Sequence, residues 1–256
     1  MFQPTVLPSG LRVITSNMPH TRSASLSIFI GTGSRFESDA EAGASHFVEH
    51  LCFKGTQRRA SSKEISEAIE GVGGILNGGT DKELTVYWCK VAINYFESAL
   101  DVLSDMILNS KFDSAEVEKE RSVIIEEISM TQDNPGQLVN LIIDNVMWPA
   151  QPLGRDVAGT KESVGAFTRQ HLVDFLARHY RAGNVAVSVA GNVEHDIVVE
   201  SVARAFAPWR DGPPEASVPV DDRQNAPRLL VDNRTTEQAH LCLALRGLSN
   251  LHPQRF

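Results

Sequence analysis

His46-Phe47-Val48-Glu49-His50 decides how this chain is read. In an α-helix, residues four apart lie about 40° from each other around the axis, one turn along the same face. Both imidazoles can therefore reach one metal ion. Glu49 stands beside His50 near the edge of that face, where its carboxylate can hold a water that the metal polarises. Phe47, Leu51 and Phe53 give the helix its packing residues, and Gly55 stops it. An ordinary amphipathic helix could carry the same letters, so the pentapeptide needs support from the rest of the chain.

The order H-x-x-E-H reverses the commoner H-E-x-x-H and is a zinc-peptidase signature. A catalytic zinc takes three protein ligands and keeps one position for water, so a third ligand must come from elsewhere. Cys52, Cys89 and Cys242 are far apart and form no C-x-x-C pair, which reads as reduced thiols in a reducing compartment. Cys52 lies about 200° around the helix from His50 and points away from any metal there. The better source is an acidic helix capped by Asp113, with Glu116 completing a capping box, that carries Glu118, Glu120, Glu126 and Glu127. Glu120 and Glu127 are seven apart and fall within about 20° of one another. One can bind the metal while the other orients a ligand or the water. Glu126 lies about 100° away from Glu127 and faces elsewhere. Without the histidines, a solvated acidic face would be the simpler reading of this helix.

The 256 residues suffice for one large domain, or one domain and part of another. With 42% hydrophobic and 22% charged residues the composition is that of an ordinary globular chain. No run of about 18 apolar residues is long enough for a membrane-spanning helix, and Met1 to Leu11 shows no secretory signal. A formal net charge of −8 argues against nucleic acid as a partner and is compatible with basic peptides. Gly71, Gly73 and Gly74 are not followed by Lys-Ser/Thr and do not make a phosphate loop. His20, His171, His179, His195, His240 and His252 have no paired acid spacing and read as structural or surface residues.

Along the chain, Thr5–Leu7 and Leu11–Thr15 flank Pro8-Ser9-Gly10 as a hairpin. Ser23 to Ile30 alternates, with Ala24, Leu26, Ile28 and Ile30 on one face of a strand. A helix capped by Ser61 or Ser62 runs to about Ile69, and strands follow at Ile75 to Gly79 and Leu84 to Val91. Helices are expected over Ala92 to Leu108, from Asp113 to Pro135, over Gln137 to Met147, and from Thr168 to about Tyr180. A valine-rich strand at Asn184 to Ala190 precedes a helix from His195 to Phe206. Strands and helices without strict alternation favour an α+β fold. Residues 1–210 form the metal-binding domain in this reading. The proline-rich stretch 211–227 is a linker, and 228–256 opens a second domain with strands at Arg228–Asp232 and Ala239–Leu245.

His46-x-x-Glu49-His50 followed by Glu-Arg-x-Val-Ile-x-Glu-Glu at 120–127 resembles the M16 family of zinc peptidases, which includes pitrilysin, insulin-degrading enzyme and the mitochondrial processing peptidase β subunit. Phe53-Lys54-Gly55-Thr56, Asn77 to Tyr87, Pro152-Leu153-Gly154 and Tyr180 to Gly191 add to the match, which runs over essentially the whole chain and fits the short M16B branch best. The resemblance implies a LuxS/MPP-like metallohydrolase fold, a mixed β-sheet flanked by helices, with two related domains per chain. The family's separation of 76 residues between the second histidine and the glutamate ligand lands on Glu127. The resemblance thus makes His46, His50 and Glu127 the ligands of one Zn2+ per domain, Glu120 the glutamate behind them, and Glu49 the general base. It also makes Asn77 and Gly78 the substrate-binding strand.

Two departures stand out. The family usually has Asn-Ala where this chain has Asn77-Gly78, which keeps the backbone donors and acceptors but loosens the strand. Family chains of this branch are also nearly twice as long, and their second domain closes the chamber and contributes an Arg/Tyr pair, so a fragment or truncated product is expected here. The function implied is a zinc-dependent endopeptidase acting on extended or unfolded peptides, paired with a second M16 domain or a partner subunit, including as a dimer. It would work in a bacterial cytoplasm, or in the mitochondrial matrix after loss of a presequence. The competing readings are a non-catalytic M16-like assembly subunit, a fragment that binds zinc but is inactive alone, and a plain zinc-binding module. Decayed members lose a motif residue, whereas this chain retains all four of His46, Glu49, His50 and Glu127.

Overall fold

The computed structural model describes residues 2–209, 211–213, 215–235 and 237–255. Six strands, β1 (Phe2–Val6), β2 (Arg12–Asn17), β3 (Ser23–Ile30), β4 (Ile75–Thr80), β5 (Thr85–Ala92) and β6 (Val185–Gly191), form one mixed sheet in the order β1-β2-β6-β3-β5-β4. Only β2 and β6 run parallel; every other neighbouring pair is antiparallel. The strands expected at Ser23–Ile30, 75–79, 84–91 and 184–190 form within a residue of those bounds, and the hairpin forms about Pro8-Ser9-Gly10 with its first strand earlier than expected, at Phe2–Val6 instead of Thr5–Leu7.

Alternation sets the two faces of the sheet. Ala24, Leu26, Ile28 and Ile30 of β3, Tyr87, Cys89 and Val91 of β5, and Val185, Val187 and Val189 of β6 all point inward and are buried. Their neighbours, such as Ser25, Ser27, Trp88 and Ser188, face the other way and stay half-buried. Burying ten such residues removes enough apolar surface to make this face the main driving force of folding.

The helices are α1 (Ala44–Cys52), α2 (Ser62–Glu70), α3 (Phe96–Leu108), α4 (Ser114–Asp133), α5 (Pro135–Met147), α6 (Lys161–Ala166), α7 (Arg169–His179) and α8 (His195–Ala205); all but α5, which packs on α4, contribute to the core over the inward face. Phe47, Leu51, Leu100, Leu103, Ile124, Ile128, Leu172, Phe175, Val198 and Val202 are their core contributions. The fold is therefore α+β, a mixed sheet flanked by helices.

Three local expectations change. Asp113 caps α4 by accepting the Ala115 N–H at 2.9 Å, but Glu116 pairs with Lys119 at 2.8 Å instead of reaching back to close a capping box. Pro135 and Gly136 do not merely end α4; Pro135 opens α5, because a helix's first turn has no use for the missing N–H. The strands expected at Arg228–Asp232 and Ala239–Leu245 are not formed: no described residue after α8 lies in a strand or helix. A strand is held by hydrogen bonds to a neighbour, and among the described residues these segments find none. Arg210, the last residue of the expected metal-binding domain, and Pro214 in the expected linker lie outside the described residues.

Candidate metal centre

α1 begins without a side-chain cap of its own, because Gly43 stands at its N-terminus with φ +93°. Any Cβ there would come within 2.5 Å of the Ala158 carbonyl oxygen. The first N–H groups are instead taken by Glu37, whose buried carboxylate accepts from Gly43 at 2.9 Å and from Ser45 at 2.8 Å. Burial raises the Glu37 pKa, while those two N–H groups and Arg155 act in the opposite sense. A carboxylate at this end also suits the helix dipole. Glu37 thus sets where α1 starts and how it points.

Phe47, Val48, Leu51 and Cys52 then bury one side of α1 and leave His46 and His50 on the other, their rings 4.5 Å apart and nearly edge-on. α4 packs against α1 and brings Glu127 opposite the two rings. Its Oε2 lies 3.9 Å from His46 Nε2 and 3.8 Å from His50 Nε2, and one donor atom from each of the three residues falls within 4.8 Å of the others. Tetrahedral zinc with bonds near 2.0–2.1 Å spaces its ligand atoms about 3.4 Å apart, so the three donors stand slightly wider than a filled coordination shell.

The donor set fits a metal in a second respect. Burial, with His50 close by, pushes the His46 pKa down to about 4, so the ring is neutral and offers a lone pair. His50 Nδ1 lies 3.1 Å from Glu120 Oε2, and that carboxylate is almost completely buried. With Nδ1–H donating to Glu120, Nε2 is the nitrogen left as a lone-pair donor toward Glu127.

Glu49 sits to the side of this cluster and is nearly buried. The Thr80 hydroxyl at the end of β4 donates to its Oε2 at 3.2 Å. Burial raises the Glu49 pKa; His50 and Thr80 oppose this and Glu127 adds to it. β4 forms the sheet edge beside the carboxylate. The pairing Gly78↔Tyr87 puts Gly78 on the inward face, and a Cβ at 78 would stand 2.9 Å from both Glu49 Oε1 and the Phe53 ring. Asn77 faces the other side, opposite Trp88, and its Oδ1 accepts the Gly78 N–H at 2.8 Å. The two residues expected to bind substrate therefore share a strand but not a face.

His46, His50 and Glu127 converge, with Glu49 and Glu120 beside them, while Glu126 is exposed on another side of α4. Cys52 is fully buried away from the cluster, and burial pushes its thiol up to about 12. Glu37, Lys54 and Thr80 stand at the site in addition to the residues expected from the sequence. Lys54 lies four residues beyond His50 and Thr80 two beyond Gly78, so helical and strand periodicity pointed to each. The acid at 37 had only its position ahead of a glycine-started helix.

Residues 12–161 match the family model described as insulinase (peptidase family M16), and residues 166–256 match the one described as peptidase M16 inactive domain. The chain belongs to peptidase family M16. This M16 chain is 36% identical over 254 residues to an uncharacterized zinc protease of Rickettsia felis, covering 99% of itself and 61% of that relative. It is 39% identical over 258 residues to an uncharacterized zinc protease of Streptomyces coelicolor, covering 98% of itself and 56% of the relative. It therefore spans little more than half the length of these curated relatives. The crystal structure of a peptidase M16 inactive domain from Pseudomonas fluorescens shares the fold, with a TM-score of 0.80 at 19% identity, over 86% of this M16 chain and 53% of the other. No helix among the described residues is long and apolar enough to cross a membrane.

Proposed function

We propose that this M16 chain carries the zinc site of an endopeptidase that cuts extended or unfolded peptides. The observation that supports this best is the convergence of His46, His50 and Glu127 beside a carboxylate, Glu49, that takes no part in the donor set. In this reading the three donors hold one Zn2+, which when bound supplies Lewis acidity worth several kcal/mol and acidifies water. Glu49 is the general base. Thr80 ties down Oε2, which leaves Oε1 to take the proton and pass it to the leaving amine. Burial favours the proton on Glu49 after that transfer. Glu120 holds His50 in the tautomer that donates through Nε2.

A peptide would lie along the open edge of β4 beside Asn77 and Gly78, gripped by the main-chain groups that alternate residues of this strand turn outward. Such strand addition selects unfolded segments over folded surfaces. We assign residues 1–210 to the metal-bearing domain, 211–227 to a linker and 228–256 to the opening of a second M16 domain. That domain, in the same polypeptide or in a partner subunit, would close the site.

The test has two arms. Metal analysis of the purified chain should find one zinc, absent from His50→Ala and retained in Glu49→Gln. With a second M16 domain supplied, Glu49→Gln should lower cleavage of a quenched-fluorescence peptide library by at least about 10²-fold, the usual contribution of a general base. Normal turnover in Glu49→Gln would place the base elsewhere, and full zinc in His50→Ala would sink the site.

A further inference from the structure

We propose that Lys54 is a positioning residue of the metal centre, acting through Glu120 on His50; the proposal rests on the metal-site reading above. Lys54 Nζ stands 2.8 Å from Glu120 Oε1, while the other oxygen of the same carboxylate stands 3.1 Å from His50 Nδ1. The Glu120 side chain is only 3% exposed, so its charge has little water to lean on. A buried carboxylate must be paired and hydrogen-bonded to remain in place. Lys54 supplies that pairing on one oxygen and thereby fixes the other.

The backbone is built to hold Lys54 there. α1 ends at Cys52, but Phe53 keeps helical dihedrals and the Lys54 N–H still donates to Leu51 at 3.0 Å. The extra turn carries Lys54 onto the side of His50, four residues back. Gly55 then turns the chain away with φ +126°, where a Cβ would meet the Ala60 carbonyl oxygen at 2.8 Å. Immediately beyond it, the Thr56 hydroxyl is pinned to Asp105 at 2.6 Å. The ammonium is thus delivered from a fixed turn and not from a free surface side chain.

Charge and positioning predict opposite signs, which makes the role testable. If Lys54 acted on zinc only as a nearby cation, removing it would strengthen binding. If it positions Glu120 and His50, removing it weakens binding, by the 10–100-fold typical of losing a group that orients a metal ligand.

The experiment measures zinc affinity of the 256-residue chain by competition with a chromogenic chelator at fixed pH. It is run on wild type, Lys54→Met, Lys54→Arg, Glu120→Gln and the Lys54→Met/Glu120→Gln double variant. Long-range 1H–15N NMR of the metal-free chain reads the His50 tautomer. We expect Lys54→Met to weaken zinc 10–100-fold and to mix the His50 tautomers, Lys54→Arg to restore both, and the double variant to lose no more than Glu120→Gln alone. Lys54→Gln replaces Lys54→Met if the latter fails to fold. Unchanged or tighter zinc binding with the tautomer intact overturns the proposal, as does a full additional loss in the double variant. A wild-type chain that takes up no zinc overturns the metal-site reading and this one with it. A wild type that binds zinc beside an indifferent Lys54→Met overturns only the role of Lys54.

Discussion

Val185–Gly191 reads Val-Ala-Val-Ser-Val-Ala-Gly, and residues 241–247 read Leu-Cys-Leu-Ala-Leu-Arg-Gly. The two alternate almost identically, yet they end in opposite states. Val185, Val187 and Val189 are 0% exposed, whereas Leu241, Leu243 and Leu245 are 92%, 81% and 82% exposed. The valine segment is β6, paired with β2 on one side and β3 on the other. The leucine segment has no strand beside it among the described residues. Alternation fixes which side chains share a face, but a neighbour with free backbone groups and a covering layer must be present before that face is buried. The segment from 228 onward is instead attached by polar clasps. Arg228 donates to the Val146 and Met147 carbonyls at 2.9 Å each, and Arg234 to the Gln132 carbonyl at 2.5 Å, at the C-terminal ends of α5 and α4.

The comparison breaks most visibly if the same change is made in both segments. Val187→Asp places an unpaired charge between β2 and β3 and should cost about 4 kcal/mol or more, enough to unfold a domain of ordinary stability. Leu243→Asp should change stability by no more than about 0.5 kcal/mol, as surface substitutions do. Urea unfolding followed by circular dichroism measures both. Equal costs would mean that residues 239–245 are buried in solution.

A smaller effect on stability separates the regions by function. Deleting 228–256 from this chain removes the clasps on α4 and α5 and should cost about 1–2 kcal/mol, yet leave one zinc bound, since every donor lies before Asn134. Glu127→Gln should do the reverse, keeping the fold and losing most of the metal, while Glu126→Gln should keep both. Atomic absorption together with thermal melting decides. Zinc lost on deletion would tie the metal centre to the second region; zinc lost in Glu126→Gln would show the phase of α4 to be wrong.

The same contrast explains what was legible in the sequence. Periodicity located β3, β5 and β6 and the phase of the two helices that carry His46, His50 and Glu127, because each of those strands buries the face its pattern marks, whereas β1 and β4 bury no face and are marked by their flanking turn residues. The separation of 76 residues between His50 and Glu127 carried the pairing of the two helices, through the family resemblance. Glu120 was legible with them, seven residues before Glu127 on the same face of α4, and it does reach His50. Strand alternation puts Thr80 on the face of Gly78, but its bond to Glu49 spans 31 residues and no local pattern names that partner. Asn77 shows the limit from the other side. Strand alternation alone requires the side chains at 77 and 78 to face opposite ways, and their main-chain groups likewise turn to opposite sides, one residue's toward β5 and the other's toward the open edge.

The smallest effect sits where the two regions meet. His179, at the end of α7, is buried, with its ring 4.3 Å from Phe175 and its Nε2 3.6 Å from the carboxylate of Glu215 just beyond the folded unit. Burial lowers its pKa from 6.5; Glu215 and Glu41 pull the other way, and Arg178 and Arg181 add to the lowering. The folded state therefore binds this proton less readily than the unfolded chain. The stability contributed by neutral His179 is complete above about pH 6.5 and is lost as pH falls from there toward the lowered value, at a slope of at most about 1.4 kcal/mol per pH unit. His46 contributes in the same sense in the metal-free chain, so the readout is a difference between variants. His179→Phe keeps the packing on Phe175 and should flatten the decline in melting temperature between pH 6.5 and 5 relative to wild type. Glu215→Gln removes the carboxylate that favours protonation, so it should carry the decline to lower pH. If Glu215→Gln instead follows the wild-type profile, the carboxylate does not reach His179 in solution. The regions would then be joined by the backbone and by the arginine clasps on α4 and α5, not by this pair.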